Sequence, residues 1–191
     1  NKLYRDASRA TTPGGCRPRW AQMLSESCAP LRSCAEYQAF LGAHAGTSLI
    51  NHWRCADGES TCEDRKPRGW EGPWYKQSQW VTLWMDHARL LLDVEPKVEE
   101  AWRPAWGPDE HYVVNNLRVL GANVTSFGLT YAPGWPEMSH PTRVVCQWGS
   151  RTALREAVRS GAASSGHHFF MRKFGASCAD ALVEALPEPT A

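Results

Sequence analysis

The sequence predicts an α/β fold, because segments with helical spacing and segments with strand-like patterns are mixed along the chain. Residues 34–43 place Tyr37 and Leu41 on one helical face, behind a serine that can cap the helix. Residues 124–131 and 168–173 are rich in β-branched or aromatic side chains, which is typical of strands. We therefore expect a mixed sheet flanked by helices.

The other elements follow from the same patterns. Gly121 is expected to end a helix that begins at Pro108, where proline and acidic residues are favoured. Residues 54–73 are dense in glycine, proline and charge, and they predict a surface loop. Residues 1–19 are expected to be a lead-in segment and residues 20–191 a single domain. The remaining predictions are helices at 85–94, from 150 or 152 to about 159, and at 178–186, and strands at 75–83 and 143–148.

The composition is that of an ordinary globular protein. The chain has 191 residues, of which 42% are hydrophobic and 21% charged, with a formal net charge of +1. A balance this close to neutral argues against a nucleic-acid partner and against electrostatic membrane binding. Apolar runs such as Leu90–Leu92 are too short to cross a bilayer.

The seven cysteines favour disulfides over a metal site. Cysteine spacings of the CxxC type are absent from the sequence. The adjacent His167 and His168 would point to opposite faces of a strand, so no metal is expected. Cys55 and Cys62 flank a polar loop that a disulfide can close in an oxidising compartment.

Two further features bear on the compartment and on sugar binding. Asn123 begins an Asn-Val-Thr sequon, which is a glycosylation site if the chain is secretory. The ten tryptophans either fill the core or provide platforms for sugar rings, and composition leaves both interpretations open. The chain starts at Asn1 without an initiator methionine, so we expect further sequence upstream.

Five short motifs occur in a characteristic order. They are SESCAPL at 25–31, YKQSQW at 75–80, DEHY at 109–112, HPTR at 140–143 and FFMRKF at 169–174. This order resembles the core-2/I-branching β-1,6-N-acetylglucosaminyltransferase family, and most closely its plant-type members, which have SESCxPL, RKGSQW, DEHY, HPxR and FxRKF. The resemblance extends from about Trp20 to Leu186.

The resemblance implies the C-terminal half of a GT-A type glycosyltransferase fold. It also implies transfer of a sugar from a UDP-sugar to an acceptor hydroxyl, with inversion and without a metal or other cofactor. Such a displacement needs one carboxylate to take the acceptor proton, and the family pattern gives that role to Glu110. Asp109 would cap the helix or orient the site. The alternative is that both acids only stabilise the start of a helix.

The negative charge that develops on UDP would be neutralised by basic side chains. Within the resemblance Arg143 and Lys173 take this role, and Arg172 is a further candidate. The alternative is that these residues are ordinary solvated surface charges.

Several more residues are expected to bind substrate. Lys76, Gln79 and Trp80 belong to a segment that forms part of the active-site wall in the family. Glu26 is a candidate on the acceptor side, and Trp135 is a candidate for stacking on a sugar.

The chain also departs from the family. Gln77 stands where family members have glycine, which would alter the backbone if a positive φ is needed there. The N-terminal half that holds the uridine would have to be supplied by upstream sequence or by a partner chain. Two interpretations therefore stay open: a working transferase, or a non-catalytic module that serves a larger assembly. The expected acceptor is a glycan or glycoprotein, and the expected location is the Golgi lumen, with a type II membrane anchor upstream.

Overall fold

The computed structural model describes residues 17–56, 62, 64–103, 107–132, 168–175 and 178, without the side chains of 95–97 and 99. These residues form two compact units. The first unit contains the described residues up to Met23 and those from Ala45 to Phe127. The second contains Leu24–His44 and the described residues from Gly128 onward.

The first unit is built on two small sheets. The larger has the strand order β1-β6-β3-β7, in which β6 is antiparallel to both neighbours and β3 is parallel to β7. The smaller is an antiparallel pair of β4 and β5 that aligns Trp53 with Lys76. The strands are β1 (Trp20–Gln22), β3 (Ser48–Leu49), β4 (His52–Arg54), β5 (Tyr75–Gln77), β6 (Thr82–Trp84) and β7 (Val124–Thr125).

Helices α2 (Met85–Trp102) and α3 (Tyr112–Val119) enclose an apolar interior in this unit. Gly121, with φ 70°, follows the end of α3 as predicted. The buried side chains are aliphatic and are contributed by strands and helices at regular spacing. We call them the aliphatic core: Ile50, Val81, Leu83, Met85, Ala88, Leu91, Val113, Val114 and Leu117.

The second unit combines one helix with a three-stranded sheet. Helix α1 (Cys34–Ala43) begins at a capping box in which Ser33 and Glu36 bond each other's backbone, as Ser33 predicts. The sheet order is β2-β9-β8, with β2 at Ala29–Pro30, β8 at Thr130–Tyr131 and β9 at Phe170–Met171. The ring of Tyr37 lies 5.2 Å from that of Phe170, so α1 packs on β9.

The mixed α/β class is confirmed, but several boundaries differ from the prediction. Helix α2 continues to Trp102, because Leu91, Val98 and Trp102 extend the same apolar face. The surface loop predicted for 54–73 is wrong in part, since it contains the fully buried Cys62.

Single strands predicted at 75–83 and 124–131 are each two short strands, and the helix predicted from 108 begins as a 3-10 turn before α3. The elements predicted at 143–148 and 150–159 lie outside the described residues, as does most of 178–186. The division into a lead-in of 1–19 and one domain of 20–191 stays a prediction. Among the helices described, none combines the length and the apolar character that a bilayer crossing requires.

Candidate functional site

The acidic motif lies on a tight turn just before α3. A 3-10 helix spans Pro108–Glu110 and starts after Gly107, whose φ of 62° and ψ of 50° place it in the left-handed region. Neither this turn nor α3 has a side-chain cap, so of the two roles predicted for Asp109, capping the helix or orienting the site, the first is not observed. Instead the Oδ2 atom of Asp109 accepts a hydrogen bond from Nε2 of Gln79. The turn thus presents two consecutive carboxyl groups, of which Asp109 is held by an amide.

Two cations hold the carboxylate of Glu110. Nη1 of Arg65 donates to Oε2 of Glu110, and Nζ of Lys76 lies 3.6 Å from the same oxygen. The side chains of Arg65 and Lys76 are only 14% and 18% exposed, and that of Glu110 is 32% exposed, so the pairs are partly shielded from water. Both cations approach the same oxygen, Oε2.

Gln77 connects the acidic turn to strand β5. Its buried side chain accepts the N–H of Val114 at 2.6 Å and donates Nε2 to the carbonyl oxygen of Asp109 at 3.2 Å. The described non-glycine residues all have negative φ, so glutamine at this position adopts an ordinary strand conformation. Gln77 was expected only as a disturbance of the backbone. The structure makes it a residue that positions the turn.

His111 follows Glu110 directly, and its contacts fix the end of the turn. Its ring is fully buried and stacks on Trp74 with centroids 4.9 Å apart and an interplanar angle of 10°. Its Nδ1 lies 2.9 Å from the carbonyl oxygen of Tyr75, and Asn115 bonds both backbone polar groups of Tyr75. Burial lowers the pKa of His111, because charging the ring inside the protein is costly.

His111 stacks on a member of a buried group that we call the aromatic cluster: Cys55, Cys62, Trp74 and Trp102. The predicted Cys55–Cys62 disulfide is confirmed, and Cys178 is disulfide-bonded as well. The carbonyl oxygen of Cys62 accepts the indole N–H of Trp74 at 3.0 Å and the backbone N–H of Arg65 at 3.3 Å. The disulfide therefore anchors the segment that delivers Arg65 to Glu110.

Arg65 was missed by the sequence analysis. It stands in a charge-rich stretch without a motif, and its partner is 45 residues away in the sequence. The one local signal was the cysteine pair that precedes it, since a closed loop fixes where the following residues begin.

One set of side chains resembles a metal site in its arrangement. The Sγ atoms of Cys55 and Cys62 and a ring nitrogen of His111 all lie within 4.8 Å of one another. The two sulfur atoms are bonded to each other, so in this state they are not available as thiolate ligands.

The second unit contains the other basic candidates. The motifs at 25–31 and 169–174 meet there, because β2 pairs with β9 and aligns Ala29 with Met171. Burial lowers the pKa of Arg172, and the nearby Cys28 and Glu26 oppose that shift. Lys173 follows β9 and is half-buried.

Of the four remaining candidates, two are among the described residues. Trp80 is half-buried, and its backbone N–H donates to Oγ of Ser78. Asn123 is exposed and donates Nδ2 to Oγ1 of Thr47 at 2.8 Å. Trp135 and Arg143 lie outside the described residues.

The structure thus brings the predicted residues together in two pairs of motifs. In the first unit, segment 75–80 contacts segment 107–112, and in the second, segment 25–31 pairs with segment 169–174. No protein-family model matches the chain, and the curated proteins include none that is similar to it.

Proposed function

We propose that this chain is the C-terminal half of a GT-A type glycosyltransferase of the core-2/I-branching kind. It would transfer a sugar from a UDP-sugar to an acceptor hydroxyl, with inversion and without a metal. The observation that carries the proposal is the contact between two motifs far apart in the sequence. Lys76 and Gln79 of one motif bind Glu110 and Asp109 of the other.

The reaction assigns Glu110 the role of general base. The acceptor oxygen attacks the anomeric carbon as the bond to UDP breaks, and the hydroxyl proton passes to the carboxylate. Arg65 and Lys76 hold Oε2, so Oε1 is the oxygen proposed to take the proton. A positioned base of this kind commonly contributes about 10²- to 10⁴-fold in rate.

The leaving group requires positive charge. We propose that Arg143 and Lys173 neutralise the negative charge that develops on UDP, with Arg172 as a further candidate. The uridine would be held by the upstream half or by a partner chain.

The acceptor is proposed to be a glycan or a glycoprotein. The proposed sugar contacts are Trp80 and Glu26, as the motif resemblance implies, and Trp135 as a stacking platform. The disulfides and the exposed Asn123 sequon support a secretory location, which we propose is the Golgi lumen with a type II anchor upstream.

A second candidate is a non-catalytic module of a larger assembly. The same ion pairs favour it, because a carboxylate already paired with Arg65 and Lys76 can serve to stabilise a turn. In that case replacing Glu110 would reduce stability, and neither the wild type nor the variant would show turnover.

Release of UDP from a panel of UDP-sugars distinguishes the two candidates. The full-length protein is compared with Glu110→Gln and with a matched control, Glu100→Gln, at an exposed position on α2. We expect the first variant to lose about 10²- to 10⁴-fold in turnover, the control to keep it, and EDTA to have no effect. Equal turnover by wild type and Glu110→Gln would remove this residue from the mechanism. No UDP release with any donor, together with lower stability of Glu110→Gln, would favour the module.

A further inference from the structure

A buried trio of side chains lies apart from the carboxylate chemistry. Cys55, Cys62 and His111 are each less than about a tenth exposed, and their sulfur atoms and a ring nitrogen lie within 4.8 Å of one another. Two cysteine sulfurs and one imidazole nitrogen are a common ligand set for zinc. The proposed transferase uses none of these three groups.

The hydrogen bond of His111 decides which nitrogen can act as a ligand. Its Nδ1 lies 2.9 Å from the carbonyl oxygen of Tyr75, and a carbonyl oxygen only accepts hydrogen bonds. Nδ1 therefore carries the proton, and Nε2 has a free lone pair. Nε2 is buried and has no hydrogen-bond partner among the residues that the structure describes. Histidines that bind metals usually have this arrangement, with the second nitrogen donating to a carbonyl or carboxylate.

We propose that the Cys55–Cys62 disulfide, once reduced, leaves this trio as a site for one thiophilic divalent cation, and that zinc is the cation that fits the ligand set best. A dithiol reductant supplies two electrons and two protons, which cleave the S–S bond to give two thiols, and the reductant becomes a disulfide. The cation then displaces the two thiol protons and binds both thiolates and Nε2 of His111. A fourth position is left for water.

The geometry requires only local movement of the sulfur atoms. A tetrahedral zinc site keeps its ligand atoms about 3.5 to 3.8 Å apart, given bond lengths of about 2.0 to 2.3 Å. The two sulfurs and one ring nitrogen of His111 now lie within 4.8 Å of one another, and breaking the S–S bond lets the sulfurs move apart. The cation would then close the same loop that the disulfide closes, and it would keep the Cys62 carbonyl that bonds Arg65 in place.

Cobalt binding tests the proposal without reference to activity. The intact chain is reduced, freed of reductant under anaerobic conditions, and titrated with Co²⁺ and then with Zn²⁺. We expect thiolate-to-cobalt charge-transfer absorption at one equivalent, its loss on addition of zinc, and no such absorption from the oxidised protein. Zinc should also protect Cys55 and Cys62 from alkylation, as mapped by mass spectrometry.

Two variants separate this site from other thiols. His111→Asn keeps an amide that can donate to Tyr75 and removes the Nε2 ligand, so affinity should fall by at least about tenfold. Replacing the free Cys28 and Cys34 by serine should leave binding unchanged.

The proposal would be overturned by the absence of a charge-transfer band in the reduced wild type, by unchanged affinity in His111→Asn, or by zinc protection of cysteines other than Cys55 and Cys62. A reduced chain that loses its native tryptophan fluorescence and does not regain it with zinc would overturn the proposal as well.

Discussion

The aliphatic core and the aromatic cluster of the first unit are stabilised in different ways. The core collects apolar side chains from strands and helices at regular spacing, with Leu83 and Val114 fully buried. The aromatic cluster is formed partly by irregular segments. It is held by a disulfide, by the stacked rings of Trp74 and Trp102 at 5.6 Å, and by an indole N–H bonded to the carbonyl of Cys62.

The residues that follow the acidic turn pack on both of these regions. Glu110 is followed by His111, which packs on Trp74, and then by Val113 and Val114, which belong to the aliphatic core. The carboxylate is thus positioned from both sides. This comparison teaches that close packing together with the hydrogen bonds of Gln77 and Asn115 fixes α3, whereas the loop that supplies Arg65 depends on a covalent bond and a few polar contacts.

The largest expected effect comes from the aliphatic core. Leu83→Ala should lower the free energy of unfolding by about 2 to 5 kcal/mol, because it leaves a cavity among close-packed side chains. Denaturant unfolding measures this, with Leu90→Ala as the control, since Leu90 is 37% exposed on α2. Similar losses in both variants would contradict the close packing described for this region.

An intermediate effect is expected at Gln77, which joins the acidic turn to the core. Gln77→Met keeps the size of the side chain but leaves the N–H of Val114 without its partner, at a cost of about 1 to 3 kcal/mol. Unfolding in urea measures the loss, and Gln38→Met on the exposed face of α1 is the matched control. A change no larger than that of the control would show that this hydrogen bond contributes little.

The smallest expected effect is the pH dependence of the free energy of unfolding, which depends on His111 where it packs on the aromatic cluster. The pKa of His111 is lowered from its usual 6.5 by burial, so the unfolded chain binds more protons than the native protein below that pH. Above about pH 6.5 neither state protonates His111, so this residue has no effect on the free energy of unfolding. Below that pH, protonation of His111 in the unfolded chain lowers the free energy of unfolding by at most about 1.4 kcal/mol per pH unit. Urea unfolding at about pH 7.5 and about pH 5.5 measures the slope.

His111→Asn should flatten that slope without abolishing it. Burial also lowers the pKa values of His52 and His87, so these two histidines preserve part of the dependence. Identical slopes for the variant and the wild type would show that His111 does not titrate as its burial implies.

The regular parts of this fold could be predicted from the sequence, because local rules govern them. Ser33 with Glu36 predicts the start of α1, and Gly121 predicts the end of α3. The Cys55–Cys62 disulfide was also predicted, from the polar loop that the two cysteines flank. These signals each lie within a few residues of the feature that they indicate.

The surroundings of the site could not be predicted, because they depend on contacts between distant segments. Arg65 reaches Glu110 from 45 residues away, and Gln77 bonds Val114 from 37 residues away. A stretch rich in charge and proline looks solvent-exposed from composition alone, yet Cys62 within it is fully buried. The roles of Glu110, Arg143 and Lys173 stay predictions that rest on the motif resemblance.

Both the backbone conformation and the surroundings of Gly107 restrict which side chains can replace it. Its φ of 62° disfavours any side chain, and a Cβ atom there would come within 3.3 Å of Nη1 of Arg65. In saturation mutagenesis we therefore expect most replacements at 107 to be disfavoured by backbone strain, with asparagine and aspartate tolerated best because they adopt the left-handed region most readily. Position 107 would then tolerate fewer substitutions than the charged residues around it.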